Sequence, residues 1–374
     1  MEIGIVRQRY TPYGGAERFV ADALAALRRD DVTLTLYTRA WPGGDGVFSP
    51  VICNPFFIGN VWRDWSFARC VRAAWDGHRP ALIQSHERIP GCDVFRAGDG
   101  VHRVWLEQRA RGMSALRRLG LALNPYHRYT LNAERRLFAD QRLRAVICNS
   151  RLVRDQIHRL FGVPEEKLHV IYNAVDSGRF APSLRTRRDA LRSTYELPAD
   201  ATVFALVGSG YHRKGVAQAI AALSRLPDSA WLVVVGKDKN ETRYRRLATR
   251  LGIAHRVRFA GPRVDVAPLL GAADAFLLPT LYDPLPNACL EAMAAGLPVI
   301  TTDQCGAAEL LTMHDAGVVC DAQDISALAA AMTRLLDPVL RAELGMRARQ
   351  AVLPLTAEAM ATQLIALYRS LLVN

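Results

Sequence analysis

Residues 203–237 read VFALVGSGYHRKGVAQAIAALSRLPDSAWLVVVGK. An apolar run, VFALVGS (203–209), meets a turn carrying Gly208, Gly210 and Gly215. GVAQAIAALSRL (215–226) has helical spacing, and a second apolar run, WLVVVGK (231–237), follows. Two short apolar strands joined through a helix lie parallel, because a crossover of that length returns the chain to the same end of the sheet. The stretch therefore predicts a parallel sheet wrapped by helices.

The same alternation extends outward in both directions. Downstream it continues with RVRFAG (256–261), AFLLPT (275–280) and PVITT (298–302). Upstream come IGIV (3–6), a helical GAERFVADALAALRR (15–29), VTLTLYT (32–38), ALIQSH (81–86) and AVICNS (145–150). The arginine-rich SGRFAPSLRTRRDALRS breaks this rhythm after the strand-like LHVIYNAVD (168–176). Two doubly wound α/β domains are expected, 1–178 and 179–355. A C-terminal helix, 356–374, is expected to cap the second domain or cross back to the first.

With 374 residues, half of them apolar, the chain can bury more than one core. The longest apolar run, near Leu269 to Leu278, is interrupted by Asp274 and falls short of the roughly 20 residues that span a bilayer, so no transmembrane helix is expected. The opening MEIGIVRQRY lacks the pattern of a secretory signal, which suggests a cytoplasmic location. The seven scattered cysteines include no C-x-x-C pair and fit reduced thiols rather than a disulfide framework or a zinc site.

The net charge of +12 is uneven, with 27 Lys/Arg against 18 Asp/Glu in residues 1–180. Residues 103–136 hold eight arginines and two glutamates among Trp105, Leu106, Leu116, Leu119, Leu121 and Leu123. That mixture suits an amphipathic segment on an anionic membrane surface. A solvated face packed on its own domain is the alternative. No nucleic-acid-binding signature accompanies it, and no nucleic-acid partner is expected.

Each half has a glycine turn after its first strand. In TPYGGAER, Gly14 and Gly15 allow close approach of a ligand, or simply a structural turn. In GSGYHRKG, Arg213 and Lys214 stand at an expected helix start, where the dipole disfavours cations unless a diphosphate fills the gap. Lysine is scarce, with four in the chain, and one of them is here. In LYDPLPNACLEAMAAGLPVITT (281–302), Asn287 is the expected N-cap and Gly296 the left-handed stop. Glu291 is then expected in the first turn, off the face of Leu290, Met293 and Leu297. Asp283 lies in the preceding loop, with both carboxylates facing the crevice above the sheet. Dipole compensation by Glu291 and an Asx-type turn at Asp283 are the local alternatives.

Taken together these motifs resemble a known family. Asp283, seven intervening residues, Glu291 and then A-x-A-x-G-x-P-V are similar to the signature of the family 4 retaining glycosyltransferases. The Gly-Gly turn with Glu17, NAVD (173–176) and the R-K-G turn (213–215) support the resemblance. It implies the GT-B fold, two Rossmann-like doubly wound domains facing across a cleft, with the nucleotide-sugar on the C-terminal one. Within the family, IPGCDVFRAGDGVHRVW (89–105) resembles a stretch of the lipopolysaccharide core glucosyltransferases that carries an aspartate, here Asp99, ahead of a basic membrane-binding segment. The usual first glutamate of the signature is the shorter Asp283 in this sequence.

The resemblance implies that Glu291 hydrogen-bonds the donor ribose. Asp283 and the backbone of Leu285, Pro286, Asn287 and Ala288 would contact the donor hexose. Arg213 and Lys214 would neutralise the diphosphate beside Gly208, with Gly14 and Gly15 approaching the same phosphates. Asp99 would orient the acceptor hydroxyl, or would only close a turn before Gly100, with His86 and His102 as nearby alternatives. The implied co-substrate is a UDP-sugar, with no metal or other cofactor, since no D-x-D motif occurs. The implied acceptor is a lipid-linked glycan of the lipopolysaccharide core type, met at the cytoplasmic face of the inner membrane. A family 4 transferase for another surface glycan, O-antigen or capsule, a basic module without catalysis and an epimerase on the same scaffold are the competing readings.

Overall fold

The computed structural model describes residues 2–8, 33–40 and 49–373. Gly14, Gly15, Glu17 and the helical stretch 15–29 lie outside these residues. The chain divides into unit 1, Met1–Asn173 with Ala357–Asn374, and unit 2, Ala174–Thr356.

Unit 1 is built on a parallel sheet of seven strands: β1 Glu2–Val6, β2 Thr33–Thr38, β3 Ser49–Ile52, β4 Leu82–Ser85, β5 Val94–Arg96, β6 Ala145–Cys148 and β7 Leu168–Val170. Their order is β3-β2-β1-β4-β5-β6-β7. Two strands escape periodicity. β3 contains Pro50, which a sheet tolerates at an edge, and β5 has only three residues. Helix Ala357–Val373 belongs to this unit. Met360, Leu364, Leu367 and Tyr368 are buried, and the Tyr368 hydroxyl donates to Gln84 Oε1 at 2.6 Å.

Unit 2 holds six parallel strands: β8 Thr202–Val207, β9 Ala230–Val235, β10 Val257–Gly261, β11 Ala275–Leu277, β12 Val299–Thr302 and β13 Gly317–Cys320, in the order β10-β9-β8-β11-β12-β13. Helix Val216–Leu223 is the crossover between β8 and β9. Asp274, which interrupts the longest apolar run, is the anchor of the arginine-rich segment. Its carboxylate accepts from Arg185, Arg188 and Arg192 and from the Val203 amide at 2.8 Å. A buried carboxylate needs such partners, and it ties the segment before β8 to the start of β11.

Among the described residues one stretch, Pro338–Leu372, has membrane-like length and composition, with a window of mean hydropathy 1.3. It is two helices, Pro338–Val352 and Ala357–Val373, and Met360, Leu364, Leu367 and Tyr368 of the second are buried in unit 1. All seven cysteines are free thiols.

Candidate functional site

Strand order locates the site in unit 2. From β8 the chain winds outward through β9 and β10. It then returns past β8 to β11 and winds the other way, so β8 and β11 flank the topological switch point. Ligands of open parallel sheets bind beyond the carboxyl ends of such a pair. The segments leaving those ends are 208–215 and 278–286, the two motifs singled out in the sequence.

The backbone knits these segments together. The Arg213 carbonyl accepts from the Leu281 amide and from Thr280 Oγ1, both at 2.8 Å. Thr302 Oγ1 donates to the Thr280 carbonyl at 2.7 Å, adding the end of β12. Gly215 makes the contact possible. It adopts φ +75°, and a Cβ there would lie 1.8 Å from the Pro279 carbonyl oxygen. Gly236 plays the same part after β9, where a Cβ would lie 2.2 Å from the Gly208 oxygen.

Side chains complete the join. Lys214 Nζ donates to Asp283 Oδ2 at 2.6 Å and Arg213 Nη1 to the same oxygen at 3.2 Å. Burial alone would push the Asp283 carboxyl up, but Lys214 and then Arg213 hold it below its ordinary value. It is a carboxylate at neutral pH. Gly208 leaves room for the Lys214 stem, since a Cβ at that position would meet Lys214 Cε at 2.6 Å.

Three local expectations change. Arg213 and Lys214 stand just before Gly215, the N-cap of helix Val216–Leu223, but also at the end of another helix, Tyr211–Lys214. Cations are favoured at that end, so the dipole gives no reason of its own for a diphosphate. Asn287 is not the N-cap. Pro286 is, and Asn287 begins helix Asn287–Ala294. Glu291 consequently falls in the second turn, and it is buried, as is Asp283, rather than open to a crevice.

The rest of the helix follows its sequence. Gly296 takes φ +77°, its amide and that of Leu297 bond back to Met293 and Ala292, and Leu290, Met293 and Leu297 are fully buried. Leu285 and Pro286 are buried, while Asn287 and Ala288 are partly exposed at the helix N-terminus. Two residues that sequence reasoning missed also brace the turn. Asp238 accepts from the Tyr211 amide at 2.8 Å and Glu241 from the Tyr211 hydroxyl at 3.1 Å. No local spacing links them to Tyr211, because the connection exists only once β8 pairs with β9.

In unit 1, Asp99 follows β5 and is exposed, in a turn closed by the Gly100 amide and the Ala97 carbonyl at 3.0 Å. The two histidines are neutral groups. His86 is buried, within 3.0 Å of Gln84 Nε2, and held well below its ordinary value by burial, Arg96 and Arg7. His102 pairs with His127 at 3.1 Å and is lowered to about 3 by burial and then Arg88. Both fit the structural reading of a lone histidine.

Residues 103–136 fall in three helices, and Glu134 pins the first of them by accepting from the His102 amide at 2.9 Å and from Arg88 at 3.0 Å. The middle helix, Ala115–Leu123, has no buried residue; Leu116, Leu119 and Leu123 are 79%, 54% and 58% exposed. Among the described residues no group of three or more His, Cys, Asp or Glu side chains is arranged to hold a metal ion.

Comparison with known proteins agrees with this architecture. Residues 13–179 match the family model described as Glycosyltransferase Family 4, and 187–351 match that of Glycosyl transferases group 1. The lipopolysaccharide glucosyltransferase WaaG of Escherichia coli K12 is 26% identical over 325 residues, 85% of each chain. The crystal structure of WaaG, a glycosyltransferase involved in lipopolysaccharide biosynthesis, superposes with a TM-score of 0.83 at 24% identity, over 98% of this chain and 99% of that one. Anabaena Alr3699/HepE in complex with UDP-glucose superposes with a TM-score of 0.73 at 20% identity, over 99% of this chain and 100% of that one. At these identities the structural likeness shows the fold. With one family model over most of each unit and two parallel Rossmann-like sheets matching WaaG, the chain belongs to the family 4 glycosyltransferases of GT-B fold.

Proposed function

We propose that the protein transfers a hexose, glucose in the simplest case, from a UDP-sugar to a lipopolysaccharide core or related lipid-linked glycan, with retention of anomeric configuration. The observation that carries this reading is the junction of Arg213, Lys214 and Asp283 at the switch point of unit 2. An ammonium has three donors and Asp283 takes one from Lys214, while Arg213 is partly exposed with further N–H groups to offer. A diphosphate entering here meets fixed cations. These groups compensate charge on the leaving group without reorganising. The complexes of HepE with UDP-glucose and the named activity of WaaG support the choice of donor and acceptor.

Asp283, already bound to two cations, is a poor nucleophile. That favours front-face transfer, with the leaving phosphate taking the acceptor proton, and gives Asp283 the work of fixing both cations. Glu291 is assigned to the donor ribose and Asp99 to the acceptor hydroxyl. No metal is assigned a role. The exposed Leu116, Leu119 and Leu123, flanked by Arg117 and Arg118, support docking of residues 103–136 on the cytoplasmic face of the inner membrane.

A thermal-shift panel of UDP-, GDP- and ADP-sugars tests the donor. Saturable protection by UDP-sugars alone is the expected result. No protection by any of them, with salt-sensitive binding to polyanions instead, would favour a basic module without catalysis.

A further inference from the structure

The segments that lead into β4, β5 and β6 in unit 1 surround a cavity of about 380 Å³. This is the amino edge of the sheet, opposite the edge from which Asp99 emerges. Four arginines line the cavity, Arg69, Arg72, Arg79 and Arg142, with Asp76 as the single acidic residue among them and Trp75 as an aromatic wall. Arg69 and Arg72 come from helix Gly59–Gly77, Arg79 from the approach to β4 and Arg142 from the approach to β6.

One of the four is already satisfied. Arg79 Nη2 donates to the Gly91 carbonyl and to Asp93 Oδ1, both at 3.0 Å. Arg69 lies over the Trp65 ring at 5.6 Å. Among the described residues, the guanidinium groups of Arg72 and Arg142 form no ion pair or hydrogen bond. Trp75 is buried, and its indole N–H likewise has no partner there. Like charges gathered round a concavity repel one another until an anion offsets them. The arginine fork matches phosphate geometry through paired N–H donors, and an apolar wall strengthens each contact by excluding water.

We propose that this cavity binds a phosphate-bearing ligand, a monoester or pyrophosphate group. It is not the donor site, since it is built wholly from unit 1 and lies at the wrong edge of the sheet for a substrate of a Rossmann-like fold. The same chemistry is offered by the headgroup of an anionic lipid and by a phosphorylated saccharide.

Calorimetric titration of the full chain with inorganic pyrophosphate tests the proposal. The double variant Arg72→Ala/Arg142→Ala changes two exposed side chains, so it should fold with an unchanged unliganded Tm. It should lose one equivalent of saturable binding, whereas the control Arg117→Ala/Arg118→Ala, with the same change of charge, should lose none. Absence of saturable binding in the wild type, a pocket variant that titrates like the wild type, or equal loss in the control would overturn it. Competition then separates the sources. For the equivalent that the pocket variant lacks, displacement of pyrophosphate by a short-chain phosphatidic acid identifies a lipid headgroup, and displacement by a hexose phosphate identifies a phosphorylated saccharide.

Discussion

Lys214 Nζ and Asp283 Oδ2 meet at 2.6 Å across 69 residues of sequence, and both side chains are almost wholly buried. Removing one partner leaves an uncompensated buried charge, which costs about 3–5 kcal/mol. Asp283→Leu strands the buried Lys214 ammonium and should lower unfolding stability by about that much, whereas Lys214→Met leaves Asp283 its hydrogen bond from Arg213 at 3.2 Å and should cost less. The double variant should recover much of the loss, because a buried pair adds little over an apolar isostere. Urea unfolding of the three variants checks this coupling, and additive losses would mean the pair is not a unit.

Gly215 and Gly210 share φ +75°, but only Gly215 is crowded. Gly210→Ala meets nothing within 4 Å and should cost about 1 kcal/mol for its left-handed backbone. Gly215→Ala drives a methyl into the Pro279 carbonyl and should abolish soluble, folded protein. Expression yield and thermal melting of the two variants distinguish crowding from backbone strain.

Acid should undo unit 2 through two carboxylates. Asp283 is held below its ordinary value by Lys214 and Arg213. At Asp274 burial opposes ionisation, but the Val203 amide and then Arg192 and Arg188 prevail. A carboxyl whose folded pKa is depressed contributes stability that is present above its unfolded value, about 4, and is lost as pH falls through the folded value. Denaturant midpoints should therefore be level near neutrality and drop below about pH 4. Asp274→Asn should start lower and fall less steeply.

Helix Ala115–Leu123 buries no side chain, so its leucines are free to act on something other than the core. Leu116→Ser/Leu119→Ser/Leu123→Ser should leave the Tm unchanged and reduce flotation with vesicles containing phosphatidylglycerol. A drop in Tm with unaltered flotation would assign the stripe to packing.

The sequence made both sheets legible, because strands buried on two faces read as apolar runs and glycine turns mark where they end. The edge strand at Ser49–Ile52 and the three-residue β5 carried too little pattern. The motif spacing also singled out Arg213, Lys214 and Asp283, which meet beyond the ends of β8 and β11. It could not show that Arg213 and Lys214 would spend charge on Asp283, nor that Asp238 and Glu241 would hold Tyr211. Those links depend on which strands become neighbours. Asp274 reads as a blemish in an apolar run and is the anchor of three arginines, a role visible only when the segment before β8 folds back on β11.

Transfer itself is the most direct test of the account. With radiolabelled UDP-glucose and lipopolysaccharide truncated at the inner-core heptose, the wild-type protein should move label to the acceptor, and NMR of the product should show the donor's anomeric configuration. Arg213→Ala should lose at least about a hundredfold in rate while still folding, the scale seen when one stabilising donor is removed from a transition state, and Glu291→Ala, which removes the acceptor assigned to the ribose, should fold and lose transfer as well. Wild-type rates in both variants, or turnover of the donor without any acceptor, would contradict the account.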